Sequence, residues 1–117
     1  MNTDTTIAAI STPTGEGGIG VVRISGSNAA DIADSIFTAA SGKRLKGSVG
    51  YSAHFGTLHD KSGDTIDQCI ALVFKAPKSY TGEDMAELYI HGGYAVSRRV
   101  LSRLSELPLR PAGPGEF

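Results

Sequence analysis

A length of 117 residues sets one compact domain with a real core as the default. With 11 basic and 12 acidic residues the net charge is -1, which excludes a general electrostatic pull towards nucleic acid and leaves Lys43–Arg44–Lys46 and Arg98–Arg99–Arg103 as local basic faces that read first as solvated surface. The single Cys69 excludes an internal disulfide and lies in an apolar run, as a buried thiol would. The absence of a signal peptide and of a long apolar stretch adds a cytoplasmic location with no membrane segment to the expectations.

The first element in chain order is a short β-compatible run, Thr5 to Ser11, followed by "TPTGEGGIG" and then "VVRISG". Gly15, Gly17 and Gly20 match the G-x-G-x-x-G spacing of a dinucleotide loop. That motif needs a helix to open directly after the glycines so that backbone N–H groups meet the pyrophosphate. Here the loop joins strand to strand, and the Gly-Lys-Ser/Thr of a Walker loop is missing. In the second strand Val22 and Ile24 face one way, and Val21, Arg23 and Ser25 the other.

"SGSNAADIADSIFTAASGK" predicts a helix capped by Ser27 or Asn28. Its stripe is Ile32, Ala33, Ile36, Phe37 and Ala40, and Gly42 supplies a left-handed stop with Lys43 and Arg44 near the negative end of the dipole. "YSAHFGTLH" and "TIDQCIALVFKA" predict a hairpin turning at Gly63. The near-continuous apolar run from Cys69 to Phe74 suggests a central strand covered on both faces. "KAPKSYTGED" is a loop marked by Pro77 and Gly82. "MAELYIHGG" then sends Ala86, Leu88 and Ile90 to one face of a strand and Glu87, Tyr89 and His91 to the other. A helix through "GYAVSRRVLSRLSEL" is expected to bury Val96, Val100, Leu101, Leu104 and Leu107 and to expose Arg98, Arg99, Arg103 and Glu106. The order β-β-α-β-β-β-α indicates an α+β domain, helices packed on a mixed, largely antiparallel sheet. The turn-rich ending "LPLRPAGPGEF" reads as part of a longer chain.

No catalytic set and no metal site stand out. His54, His59 and His91 lack ligand spacing with Cys69 or a carboxylate, and the hydroxyls of Ser79, Tyr80 and Thr81 have no adjacent base. Two polar residues on otherwise apolar strands do stand out, Arg23 and Glu87. They either face solvent or pair across the sheet, or they project into a ligand cleft around which "SYTGED" and "HGG" bend the backbone. In the second reading a carboxylate takes two parallel hydrogen bonds from a planar amino-heterocycle, and an arginine fork holds a carbonyl or carboxylate of the same ligand. The candidate cofactor-binding set is then Arg23, Glu87, Tyr80, Thr81, Gly82 and His91.

"DTTIAAISTPTGEGGIGVVRISG", "SYTGEDMAELYIHGG" and "RPAGPGEF" together resemble the N-terminal domain of the MnmE/TrmE family of tRNA modification GTPases, over about Asp4 to Phe117. The resemblance implies a folate-binding module like that of the glycine cleavage T-protein family, a 5-formyl-tetrahydrofolate-type cofactor and a homodimer contact over residues 1–117. It places a helical domain, a GTP-binding domain needing GTP, Mg and K, and a C-terminal cysteine motif outside this chain. It implies an MnmG-type partner and modification of C5 of the wobble uridine in tRNA. Arg23 and Glu87 match the family's folate contacts, and a further basic contact falls just past "PGEF". Thr14 and Glu16 stand where the family often has Pro and Arg, which argues against a phosphate or nucleic-acid role for that loop. An assembly scaffold with an incomplete folate site is the alternative. A stand-alone one-carbon transfer enzyme would need a second substrate region, for which 117 residues leave little room.

Overall fold

The computed structural model describes residues 6–10, 19–48, 50–77, 81–91 and 93–112. In chain order these form β1 (Ile7–Ile10), β2 (Gly20–Ser25), α1 (Ala29–Ile36), β3 (Phe37–Ala39), β4 (Ser52–His59), β5 (Thr65–Phe74), β6 (Met85–Ile90), α2 (Gly93–Leu104) and β7 (Arg110–Pro111). One sheet runs β3-β4-β5-β6-β2-β1-β7. Its first six strands are antiparallel neighbours, and the two-residue β7 is parallel to β1. The α+β class and the mixed, largely antiparallel sheet are as expected. The two short strands β3 and β7 are additions. The glycine-rich loop does join strand to antiparallel strand, but residues 11–18 lie outside the described residues.

Both helices cover the same face. α1 packs on β2, β3 and β6, and α2 on β1 and β5. Beneath them lie Ala8, Val22, Ile24, Ala71, Val73, Ala86, Leu88 and Ile90, all almost completely buried, joined by Ile32, Ala33, Ile36, Val100 and Leu104 from the helices. Alternation along β2 and β6 therefore buries the residues that the pattern assigned. Neither helix is long and apolar enough to cross a membrane.

The first helix ends earlier than its apolar stripe suggests. Phe37 is already extended, with φ -132 and ψ 135, and pairs with Leu58. Phe37 is buried as predicted, but from a strand; Ala40, placed on the helix stripe, is exposed beyond it. β-Pairing overrides helix propensity here. Gly42 does adopt a left-handed φ of 80, closing the turn after β3 rather than the helix. Asn28 occupies the N-cap without a side-chain cap bond. Arg44 and Lys46 reach back to Asp34 and Asp31 at 3.5 and 3.3 Å. The Asp34 carboxylate also accepts the Leu45 and Lys46 N–H groups, which pins this loop under α1.

The hairpin β4–β5 turns as read, with Gly63 at φ 92 and Asp60 Oδ1 accepting from the backbone of Ser62 and Asp64. Among the described residues, however, β5 is covered on one face only. Cys69, Ala71 and Val73 point under the helices, whereas Ile70 is 46% exposed on the far side. Burial, reinforced by the nearby Asp67 charge, pushes the Cys69 thiol up to about 12. The thiolate is denied, so this is a packing residue.

In α2 the inward stripe is Ser97, Val100 and Leu104, with Val96 and Leu107 packed alongside. Leu101 stays 47% exposed. Arg103, expected outside, has a side chain only 13% exposed. It lies against α1, donating from Nη2 to the Ser35 carbonyl at 3.0 Å and pairing through Nη1 with Glu106. At about 100° per residue Ser97 lies nearer the centre of the Val96, Val100, Leu104 and Leu107 stripe than Leu101 does, so the period itself turns Ser97 inward.

Candidate functional site

On the face away from the helices, two rows of side chains cross the sheet. Strand register sets the first as Ala9, Arg23, Glu87, Leu72 and Ala53, and the second as Val21, Tyr89, Ile70 and Phe55. The polar pair thus sits at the centre of a largely apolar surface. Arg23 and Glu87 are direct cross-strand partners. The Arg23 Nε donates to Glu87 Oε2 at 2.8 Å, and Nη2 lies 2.7 Å from the same oxygen. Tyr89 completes the group, its hydroxyl donating to Glu87 Oε1 at 2.8 Å. The Arg23 side chain is 19% exposed and that of Glu87 only 7%. The carboxylate is therefore desolvated, but both its oxygens are engaged by donors, the condition under which a buried charge is tolerated. Desolvation raises the Tyr89 phenol above its ordinary range, with the hydrogen bond and charge of Glu87 adding and Arg23 partly opposing.

Next to this group an open concavity of ≈ 470 Å³ is lined by Ile19, Ala53, Ile70, Leu72, Tyr89 and His91. Its volume and apolar walls suit a small organic ligand. Ile19, Phe55 and Ile70 are 59%, 58% and 46% exposed, which makes this face unusually apolar for a surface.

The other candidate residues are distributed along the strands rather than gathered at one point. His91 is on the concavity wall, four residues past Glu87 and so roughly 13 Å along the strand. Its backbone N–H donates to Asp67 Oδ2 at 2.7 Å, and its ring Nδ1 lies 3.2 Å from the Gln68 carbonyl oxygen. Thr81 and Gly82 stand at the opposite end of β6. Ser25 donates to Thr81 Oγ1 at 2.7 Å, and Gly82 turns the chain at φ 79. Neither is among the described residues lining the concavity. Tyr80, like Ser79, lies outside the described residues.

Among the described residues no group of His, Cys, Asp and Glu could hold a metal ion. His54 and His59 instead share hydrogen bonds with Ser52 and Thr38. In the basic clusters Arg44, Lys46, Arg99 and Arg103 each have an acidic partner, and Arg98 lies over the Tyr94 ring at 5.7 Å. Pattern reading placed Tyr89 on this face with Glu87 and His91 but missed Ile19, Ile70 and Leu72 as part of the surface. The signal was present in β5, where Ile70 and Leu72 are apolar at the parity opposite to the core residues Cys69, Ala71 and Val73.

Residues 6–117 match the family described as GTP-binding protein TrmE N-terminus. The chain is 50% identical over 117 residues to the tRNA modification GTPase MnmE of Thermus thermophilus, covering 100% of this chain and 27% of that protein. Against the proteins of the same name from Geobacillus kaustophilus and Symbiobacterium thermophilum identity is 47% in each case, over 96% of this chain and 24% of theirs. The chain thus spans about a quarter of the length of these curated relatives. With nearly its whole length matched, this chain belongs to the family of the TrmE N-terminus.

Proposed function

We propose that this chain is a folate-binding and dimerisation domain, residues 1–117, of a larger tRNA modification GTPase. The observation that carries this reading is the part-buried Arg23–Glu87 pair set in an apolar sheet face beside a ligand-sized concavity. A pterin-like ring has an apolar plane and a donor-rich amino edge. Ile70, Leu72 and Tyr89 supply surface for the plane, Glu87 an acceptor for the edge, and Arg23 donors for a carbonyl or carboxylate. The chain's residues therefore fit a 5-formyl-tetrahydrofolate-type cofactor, which supplies a one-carbon unit when bound. His91 forms the far wall, Thr81 and Gly82 shape the loop beyond Ser25, and Tyr80, next to them in the chain, is a further candidate contact. The likeness to the folate module of the T-protein family belongs to this proposal. So do the helical domain, the GTP-binding domain with its GTP, Mg and K, an MnmG-type partner, wobble-uridine modification in tRNA and a cytoplasmic setting.

Isothermal titration tests the reading. The chain takes up one 5-formyl-tetrahydrofolate per site and no GTP, and Glu87→Gln, checked as folded by circular dichroism, weakens uptake at least tenfold. A folded chain that ignores the folate, or one that binds GTP tightly, overturns it.

A second reading is favoured by the exposure of Ile19, Phe55 and Ile70 on one face: an assembly scaffold in which a second copy covers that face. Both readings include a dimer, so sedimentation equilibrium tests whether the open sheet face makes it. The scaffold reading expects a ligand-independent dimer that Ile70→Asp converts to monomer, and a monomer at high concentration removes it.

A further inference from the structure

Resting on the ligand reading above, we infer that Tyr89 is a specificity-determining residue whose hydroxyl occupies the Glu87 oxygen that a ligand's amino group must take. Glu87 Oε2 already accepts from Arg23 Nε at 2.8 Å, with Nη2 2.7 Å from it, so the guanidinium covers this oxygen. Oε1 is the remaining acceptor, and Tyr89 Oη sits on it at 2.8 Å. Glu87 does not line the concavity, whereas Tyr89 does. A ligand entering there meets the tyrosine before the carboxylate, and the Glu87 side chain is only 7% exposed behind it.

With the phenol standing between the concavity and a carboxylate only 7% exposed, binding is an exchange on Oε1: the phenol O–H leaves and a ligand N–H takes its place. A ligand without a donor at that edge cannot complete the exchange. It would strand the carboxylate with a missing partner, and an unmade hydrogen bond to a buried charge is the costly case. The hydroxyl thus serves as a stand-in that keeps Glu87 satisfied in the ligand-free protein and sets a threshold that only amino-bearing rings cross. The Tyr89 ring itself remains part of the apolar wall.

The test is Tyr89→Phe, which keeps the ring and removes the stand-in. Titrations are made with 5-formyl-tetrahydrofolate and with a 2-desamino, N3-methyl pteridine analogue, which carries no N–H at that edge. The expected result is roughly tenfold tighter binding of the amino-bearing folate and no gain for the donor-less analogue. A residue that merely supported the fold would weaken both ligands on substitution. Unchanged or weaker folate binding by Tyr89→Phe, with the unsubstituted chain binding normally, overturns the inference and leaves the ligand reading standing. A tightening equal for both ligands also overturns it, because the amino group would then not be what is read. Failure of the unsubstituted, folded chain to bind the folate overturns the ligand reading and this inference with it.

Discussion

Replacing Glu87 by alanine is expected to lower folding stability by about 3–5 kcal/mol, and Arg23→Ala by a similar amount. Each substitution removes one half of an ion pair whose carboxylate is buried and whose arginine side chain is 19% exposed, and leaves the other half without this partner. Glu87→Ala also strands the Tyr89 hydroxyl, and Arg23→Ala leaves the carboxylate relying on the Tyr89 hydroxyl. Small domains have only about 5–15 kcal/mol in total, so either change takes a large fraction of it. The triple replacement Arg23→Met, Glu87→Leu, Tyr89→Phe should be much milder, because an apolar cluster of similar volume removes the desolvation cost together with the attraction. Urea unfolding of the two single variants and the triple variant measures this. A triple variant as unstable as the singles would show that the group is a structural requirement of the sheet. A near-native triple variant would show that the charges are kept for a reason other than stability, as a ligand site requires.

Gly56→Ala is expected to cost about 3 kcal/mol and to lower the melting temperature by roughly 10 °C. A methyl on Gly56 would overlap the Thr38 carbonyl oxygen and lie 2.7 Å from the Phe37 ring and 2.8 Å from the Ala39 Cα. Two of these three are backbone atoms of β3, so no rotamer change relieves the contact. The edge strand has to move off β4, and the buried Phe37 ring moves with it. Amide exchange would locate the effect, with Thr38 and Ala39 losing protection while β2 and β6 keep theirs. Gly63→Ala is the matched control on the same hairpin: its Cβ would meet nothing within 4 Å, leaving only the strain of its φ of 92.

Much of the site was legible because β-strands alternate strictly. Once "VVRIS" and "MAELYI" are strands, Arg23 must face away from Val22 and Ile24, and Glu87 away from Leu88. Legibility ended where two explanations shared one pattern. The pairing of Arg23 with Glu87 and the projection of both towards a ligand predict the same alternation, and only register brings the two opposite each other. A continuous apolar run on β5 fits a strand covered twice as well as one that carries an apolar open face, and Ile70 reveals the second. The end of α1 was hidden for a different reason. Phe37 satisfies the helix stripe and the β3–β4 pair equally, and its strand partner, Leu58, is far along the chain. In α2 the expectation followed apolar identity and put Leu101 inside, whereas the helical period favours Ser97, which lies nearer the centre of the stripe.

The central claim is that the Arg23–Glu87–Tyr89 group and the concavity next to it form one ligand site. The most direct measurement is the folate titration followed residue by residue, by amide and side-chain NMR shifts of the chain with 5-formyl-tetrahydrofolate. Saturable shifts are expected at Val21, Arg23, Ile70, Leu72, Glu87 and Tyr89, with the α1 and α2 amides nearly unmoved. Shifts confined to the helices or to the Lys43–Lys46 loop, with the two central rows of the open sheet face silent, would contradict it.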